Sequence, residues 1–221
     1  MNLPKFKSQQ LKDSAFIHRS FLNEKPELHL SSNERLEFLG DAILSFIVSD
    51  YLYQNFPKHK EGDLTSFRAA LVRTEALADL SQKLDLGKYL KLSRGEEEGG
   101  GRQNPSILAN TAEALIGALY LDQGLEAVRQ FVEKNLLPNL TEIIKSQAYK
   151  DAKSLLQERA QETKQLSPVY RVLKTEGPDH AKIFHVGVFI QEKLIGTGKG
   201  ASKQKAEQEA AKMALEKSPN F

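Results

Sequence analysis

The chain has 221 residues, of which 40% are hydrophobic and 27% are charged, enough to build a buried core in one large domain or two ordinary ones. It contains no cysteine, which excludes disulfides, thiolate metal ligands and a cysteine nucleophile. The first residues carry no apolar signal segment, and no run approaches the roughly 20 apolar residues of a membrane span. We therefore expect a soluble protein of the cytoplasm.

The formal net charge of +2 is unevenly distributed along the chain. Residues 1–149 carry 18 Lys and Arg against 20 Asp and Glu, whereas residues 150–221 carry 13 against 9. An acidic first part followed by a basic second part indicates two modules, of which the second favours an anionic partner.

Residues 1–146 predict an all-α domain. Its first long helix has the cap candidates Ser32 and Asn33 and stops at Pro57. The acid- and glycine-rich segment "RGEEEGGGRQNP" is typical of a solvated loop, because like charges, glycines and an Asn-Pro pair follow one another. An apolar helix comes directly after it.

The pattern changes after residues 147–150, which we interpret as a linker. Residues 151–221 predict one helix, three short alternating strands joined by turn residues, and a closing alanine-rich helix over 202–217. The order α-β-β-β-α is that of a complete small α+β domain.

The first long helix carries both an apolar stripe and a set of acids. The stripe comprises Leu36, Leu39, Ile43, Phe46 and Ile47. On a wheel of 100° per residue, Glu34, Glu37 and Asp41 lie on the opposite side, as on any amphipathic helix with a solvated acidic face. Phe38 lies on that acidic side as well. We expect it to be covered either by a subunit contact or by repacking within the domain.

The segment "SILANTAEALIGALYLD" (106–122) is apolar nearly all the way round, and Glu113 is its only charged side chain before Asp122. An ionised carboxylate in a protein interior is costly unless it is paired or bound to a metal. Asn110, one turn earlier, presents an amide oxygen to the same side. Two explanations are open: Glu113 pairs with an Arg or Lys, or it joins Asn110 and the acids of the first helix in a Mg²⁺ or Mn²⁺ site.

Four segments resemble the ribonuclease III family. "NERLEFLGDAIL" (33–44) resembles its signature segment, and "ILANTAEALIGALYLD" (107–122) resembles its second acidic motif. "AFIHRSFLNE" (15–24) and "FPKHKEGDLTSFRAALV" (56–72) fit the same pattern. Residues 151–221 resemble a double-stranded-RNA-binding domain, so the resemblance covers essentially the whole chain.

The resemblance implies a homodimeric, Mg²⁺-dependent endoribonuclease that hydrolyses double-stranded RNA, with Mn²⁺ as an alternative ion. It also implies 5′-phosphate and 3′-hydroxyl ends and a role in processing ribosomal and messenger RNA. Glu37, Asp41 and Glu113 match three acids that are catalytic and bind metal in the family. The fourth position of that set is aspartate in the family and Asn110 here.

An asparagine at this position keeps the size and one oxygen of aspartate but removes a negative charge from the metal site. Because Mg²⁺ is held largely by charge, we expect Asn110 to weaken metal binding and to give RNA that is bound but cut slowly. Asn110 is then either an introduced substitution that traps uncut substrate or a natural divergence. The alternative function is a non-catalytic scaffold dimer that binds double-stranded RNA, although the three retained acids argue against it. A hydrolase of small phosphates fits the basic second domain poorly.

The resemblance extends to further positions. Glu61 resembles an acid near the cleavage site and Glu34 one that approaches the RNA, although each also fits a solvated surface acid. Phe38 matches an aromatic residue of the family's dimer contact. We interpret His18, in the "HRS" segment, as structural, because no partner lies at nucleophile–base spacing.

The second domain carries groups suited to duplex RNA, whose wide minor groove displays 2′-hydroxyls between rims of phosphate. These residues are Ser154, Gln157, Gln161, His180, Lys199, Lys203 and Lys205. The hydroxyl and amide groups share one face of the first helix, and the lysines surround the start of the last helix, where the helix dipole also favours phosphate. A lysine cluster alone is often only a solvated helix end. Combined with the domain order and the charge split, it predicts binding of duplexes with little sequence preference.

Overall fold

The structure, a computed structural model, describes residues 3–146, 149, 152–164, 167–178 and 181–217. The chain divides into two compact units, Met1–Tyr149 and Lys150–Phe221. The first is built of helices and the second of two helices and three strands, which confirms the fold class expected from the sequence. No helix in the described ranges is long and apolar enough to cross a membrane.

Helices of very different length form the first unit. In the described residues they are α1 (Gln9–Ser14), α2 (Arg19–Glu24), α3 (Glu34–Asn55), α4 (Glu61–Val72), α5 (Thr74–Lys83), α6 (Arg94–Glu98), α7 (Pro105–Gln123), α8 (Leu125–Asn135) and α9 (Asn139–Ser146). Short 3₁₀ turns occur at Pro26–Leu28, Leu86–Tyr89 and Gly101–Gln103.

The acid-rich segment expected as a loop is partly helical, so that expectation was wrong. Ser93 caps α6 by accepting a hydrogen bond from the Glu96 backbone N–H at 3.2 Å. Arg94 and Glu98, four residues apart, pair at 2.8 Å. A good cap and an i,i+4 ion pair stabilise a single turn of helix despite the repulsion among its three acids.

The core of the first unit forms around α3 and α7, its two longest helices. α7 is buried on most sides, as its apolar composition predicts. α3 departs from its predicted pattern: Leu44 and Val48 are fully buried although they lie on the flank that carries the acids, whereas Phe46 is 54% exposed. α3 therefore packs against neighbours on two sides and is not a simple amphipathic helix.

Two glycines allow α3 and α7 to cross with their backbones in contact. A Cβ atom on Gly40 would overlap the carbonyl oxygen of Glu113, and one on Gly117 would overlap the carbonyl oxygen of Leu36. Only glycine fits at these two positions. The crossing places the first half of α3 against the middle of α7.

The start of α3 is fixed by a tertiary contact. Asn33 is buried, and its side-chain amide donates to the Ala15 carbonyl at 3.1 Å, so it does not cap the helix with its side chain as expected. Ser32 does not cap α3 through its hydroxyl, which donates to the Glu34 carboxylate at 2.7 Å. The beginning of α3 is therefore held against the segment that precedes α2.

The second unit has the order helix, three strands, helix. Its elements are α10 (Ala152–Lys164), β1 (Val169–Glu176), β2 (Ile183–Ile190), β3 (Lys193–Gly200) and α11 (Lys203–Lys217). The strands form an antiparallel sheet in the order β1-β2-β3. Three alternate glycines of β3 face three alanines of α11, where a Cβ would overlap the helix backbone. The glycines are Gly196, Gly198 and Gly200, and the alanines are Ala206, Ala210 and Ala214.

Candidate active site

The four residues expected to hold a metal meet at the crossing of α3 and α7. Glu37 and Asp41 come from α3, and Asn110 and Glu113 come from α7. The Asn110 side chain lies near the Glu37 carboxylate and favours its ionised form. Glu113 lies close enough to Asp41 and Glu37 for both to act on its charge. The Gly40 contact explains the meeting, because it presses this part of α3 onto the backbone of Glu113 itself.

The acids of this site repel one another. Burial, followed by the charges of Asp41 and Glu37, raises the pKa of Glu113 to about 7. Burial and then the charge of Glu34 raise the pKa of Glu37, and the nearby Asn110 side chain partly offsets this rise. No Arg or Lys of the described residues contributes to the pKa of Glu113. Of the two explanations for this half-buried acid, ion pairing with the described residues is therefore not the one that the structure supports.

The ligand atoms of these four residues are of the type that binds a hard divalent cation. Carboxylate and amide oxygens are the ligands that Mg²⁺ prefers, and a cation would relieve the repulsion that raises the pKa of Glu113. Across the described parts of the chain, however, no three His, Asp or Glu side chains are arranged to hold one ion together. Mg²⁺ commonly uses one or two carboxylates and completes its shell with water and substrate phosphate. The side chains fit that looser arrangement.

A cavity of about 370 Å³ opens beside Glu37 and Asn110. Its other polar side chains are His18, Arg19, Asn33, Glu34 and Ser106. Glu34 lies 3.7 Å from the Arg19 guanidinium. Burial lowers the pKa of His18, and the charge of Glu96 partly offsets this decrease. We call this space the side cavity.

Glu61 is not placed with these residues. It is the exposed first residue of α4, where its carboxylate accepts a hydrogen bond from the Thr65 hydroxyl at 2.9 Å. It is not among the residues that line the side cavity. Within one chain, Glu61 therefore has the contacts of a surface acid.

Phe38 protrudes from α3 next to an apolar cavity. Its side chain is 80% exposed, and the neighbouring cavity, about 870 Å³ in volume, has Leu30, Leu36 and Leu121 in its wall. A protruding aromatic side chain beside an apolar cavity forms a surface that can be complementary to a second copy of itself. The subunit contact is thus the better of the two explanations for Phe38.

The described residues of the second unit that we expected to bind RNA lie on its exposed surface. They are Ser154, Gln157 and Gln161 on α10, Lys199 on β3, and Lys203 and Lys205 on α11. Lys153 pairs with Glu207 at 2.6 Å, and the Ala152 backbone N–H donates to the Gln208 side chain at 3.0 Å. These contacts hold the first turn of α10 beside α11. The polar face of α10 therefore begins close to the lysines of α11, whereas His180 lies outside the described residues.

The sequence did not identify three residues that shape the site. Gly117 stands inside an apolar helix, and its pairing with Gly40 becomes visible only when the two helices are docked. Arg19 and Ser106 lie far apart in sequence and share the side cavity only after folding. The "HRS" segment was the one available signal, and it points to a position without indicating a partner.

The structure defines a helical unit with an acid-lined site, joined to a unit with the fold of an RNA-binding module. Residues 8–140 match the family described as ribonuclease-III-like, and residues 152–218 match the double-stranded RNA binding motif. The chain therefore belongs to the ribonuclease III family, as the sequence motifs suggested.

Known relatives cover nearly the whole chain. Ribonuclease 3 of Streptococcus gordonii is 45% identical over 212 residues, which is 96% of this chain and 91% of that protein. Ribonuclease 3 of Carboxydothermus hydrogenoformans is 49% identical over 203 residues, which is 92% of this chain and 86% of that protein. A solved nuclease domain of ribonuclease III from Campylobacter jejuni is 40% identical, with a TM-score of 0.56 over 61% of this chain and 88% of its own.

Proposed function

We propose that this protein is an endoribonuclease that binds double-stranded RNA and hydrolyses its phosphodiester bonds with the help of Mg²⁺. The observation that carries the proposal is the meeting of Glu37, Asp41 and Glu113 at the α3–α7 crossing, where no Lys or Arg of the described residues offsets the charge of Glu113. Membership of the ribonuclease III family and the double-stranded RNA binding motif supply the substrate class.

One or two of these carboxylates would hold the metal, with the Asn110 amide oxygen as a further donor and with water and substrate phosphate completing its shell. When bound, the ion supplies activation of water and stabilisation of charge on the attacked phosphate and the leaving 3′ oxygen. Hydrolysis at that bond leaves 5′-phosphate and 3′-hydroxyl ends. The nearby Asn110 amide already favours the ionised Glu37 carboxylate in the absence of a cation.

Asn110 makes this chain a slow nuclease. An aspartate at position 110 would add a negative charge and would repel Glu37 until a cation bridged the two, whereas the asparagine amide favours the ionised Glu37 carboxylate without any cation. The metal is therefore bound less tightly and the attacking water is positioned less well. RNA binding, which uses the second unit, is left intact.

The active form is a homodimer joined through Phe38 and the apolar cavity beside it. The Campylobacter jejuni nuclease domain, which is similar to the first unit, is described as having a region involved in dimer formation. Two sites in one dimer suit the cutting of both strands of a duplex. We place this activity in the cytoplasm, in the processing of ribosomal and messenger RNA.

A non-catalytic scaffold dimer is the second candidate. The nearness of the Asn110 amide to Glu37 favours it, because the amide stabilises that carboxylate without metal. The repulsion that remains at Glu113 favours the nuclease, since a scaffold gains nothing from a half-buried carboxylate with a raised pKa.

The deciding experiment compares the chain with its Asn110→Asp variant on a long RNA duplex in Mg²⁺. We expect the two proteins to bind RNA alike, the variant to cut it rapidly, and Mn²⁺ to restore part of the rate of the unaltered chain. Asn104→Asp is a matched control, because it makes the same exchange at the cap of α7, where the side-chain oxygen accepts from Ser106 N–H.

Each result has a definite meaning. If neither protein cuts duplex RNA with either metal, the chain is a scaffold. If the unaltered chain cuts as fast as the Asn110→Asp variant, position 110 has no part in holding the metal.

A further inference from the structure

The side cavity contains hydrogen-bond donors that the four-residue site does not use. We propose that it binds the sugar–phosphate unit next to the scissile phosphate, and that Arg19 is the residue that binds the phosphate of this unit. The proposal rests on the proposed function, because it assumes an RNA strand whose scissile phosphate lies at Glu37 and Asn110.

The "HRS" segment places two donors in this cavity. The Ser93 backbone N–H donates to the Ser20 hydroxyl at 3.0 Å, and that hydroxyl lies 2.8 Å from His18 Nδ1. The Ser20 backbone N–H also donates to His18 Nδ1, at 3.3 Å. Because Nδ1 accepts, the proton of the neutral ring is on Nε2, a tautomer assigned from these hydrogen bonds. His18 therefore offers an N–H group, and the next residue, Arg19, offers a guanidinium.

The Arg19 guanidinium is available for a new partner. It lies 3.7 Å from Glu34, which is too long for a hydrogen bond, and its side chain is 73% exposed. The other oxygen of the Glu34 carboxylate accepts a hydrogen bond from the Ser32 hydroxyl at 2.7 Å. Exposed ion pairs of this kind contribute little, whereas a guanidinium and a phosphate form two parallel charge-assisted hydrogen bonds. It is therefore favourable for the Arg19 guanidinium to leave Glu34 and bind a phosphate.

The remaining walls of the cavity fit a sugar–phosphate unit better than a free anion. Arg19 is its only cationic side chain, and Glu34 and Glu37 are acidic, so a small anion would be repelled as much as attracted. A strand held by its neighbouring phosphate can overcome that repulsion. Its 2′-hydroxyl, both donor and acceptor, also suits a cavity lined by carboxylates and by the Ser106 hydroxyl.

The test uses the full chain with Asn110→Asp, so that cutting can be measured, and a short RNA duplex under single-turnover conditions. Arg19→Ala should lower the cleavage rate by about ten- to a hundredfold, the usual effect of a lost hydrogen bond to a charged group. Arg19→Lys should keep part of the cleavage rate, since lysine retains the positive charge but lacks the paired N–H donors of the guanidinium. Arg73→Ala is the matched control: Arg73 is also exposed and lies 3.8 Å from Glu75.

The decisive step alters the substrate. Duplexes carry a single neutral methylphosphonate at each phosphate flanking the cut in turn. At one of these positions, the neutral group should lower the cleavage rate of the protein with Arg19 about as much as Arg19→Ala lowers it. In the Arg19→Ala protein, the same neutral group should cause no further decrease in rate. Because this comparison includes the protein with Arg19 intact, a folding defect in the variant cannot produce the result.

Two outcomes overturn the proposal. Either no flanking phosphate is sensitive to neutralisation, or the rate decreases caused by the neutral phosphate and by Arg19→Ala multiply at every position.

A failure of the proposed function looks different, because then the Asn110→Asp protein cuts no duplex at all. In that case duplex binding gives the answer for Arg19: its replacement by Ala should flatten the dependence of log affinity on log salt by about 0.9, and an unchanged slope overturns the subsite.

Discussion

Both units use glycine to bring backbones into contact, but they put the close approach to different uses. In the first unit Gly40 and Gly117 let two helices touch, and the side chains beside the contact are acids that converge on one site. In the second unit the glycines of β3 let α11 pack closely on the sheet. The side chains at that contact are alanines, which carry no polar or reactive group. The RNA-binding candidates, such as Ser154 and Lys203, point away from it into solvent.

This difference separates catalysis from binding in physical terms. A metal site fails when its ligands move by a fraction of an ångström, so it depends on the buried contact that fixes them. A surface that binds the RNA backbone sums many exposed charges, and each can be lost at a modest cost. A substitution at the α3–α7 crossing should therefore affect stability and cleavage together, whereas one on the RNA-binding surface should affect affinity alone.

Gly40→Ala should have the largest effect. The added methyl group would overlap the Glu113 carbonyl oxygen, so α3 and α7 must move apart. We expect a loss of about 1–3 kcal/mol or more in the free energy of unfolding of the first unit. In the Asn110→Asp background, we also expect cleavage to fall by at least about a hundredfold. Urea unfolding and a cleavage assay measure the two quantities.

Gly62→Ala is the control for this prediction. Gly62 lies in α4 with open space around its Cα, so alanine should stabilise the protein by about 0.5–1 kcal/mol. Equal effects of the two substitutions would show that the close crossing does not determine the position of the acids.

Phe38→Ala should have the next largest effect, on assembly. If Phe38 anchors the dimer in the apolar cavity of its partner copy, its loss should weaken dimerisation by about 2 kcal/mol or more, roughly thirtyfold. Sedimentation at a series of concentrations measures the change, with Leu194→Ala, another exposed apolar side chain, as control. A protein that sediments as a monomer before any substitution would remove the dimer from the proposed function.

The sequence predicted the acids of the site better than their surroundings. Glu113 stands out by local spacing, because it is a single acid in an apolar segment. Glu37 and Asp41 were singled out only by the resemblance to the ribonuclease III family, since the helical wheel alone fitted a solvated acidic face. The two buried faces of α3 could not be read in this way, since a wheel assumes one core side and α3 has neighbours on two. The burial of Asn33 and the side cavity with Arg19 depend on contacts between segments far apart in the chain. Local spacing carries no information about such contacts.

Replacing both Lys203 and Lys205 by alanine should have a smaller effect that is confined to RNA binding. Both side chains are exposed at the start of α11, so the fold should be unaffected. If each contacts one phosphate, the slope of log affinity against log salt should decrease by about 1.8 in total, for all duplex sequences alike. Fluorescence anisotropy at several salt concentrations measures this slope. Lys212 and Lys217, farther along the same helix, are the matched pair, and an equal effect there would place the RNA surface elsewhere.

The smallest effect is a dependence of stability on pH that originates at Glu113. Its pKa is about 7 in the folded protein against an ordinary value of 4.5, so between these two pH values the folded state binds more protons than the unfolded state. Without metal, stability should therefore decrease as pH rises from about 4.5 to about 7, by on the order of 1 kcal/mol once solvent screening of this half-buried group is allowed for. Thermal unfolding should show this decrease in the unaltered chain and not in Glu113→Gln, whereas Glu27→Gln, an exposed control, should retain it.

If Mg²⁺ binds here, it should stabilise the unaltered chain at pH 8 and leave Glu113→Gln unchanged. Parallel pH profiles for the unaltered chain and Glu113→Gln would mean that Glu113 is solvated like any surface acid, and the case for a metal site at this crossing would be lost.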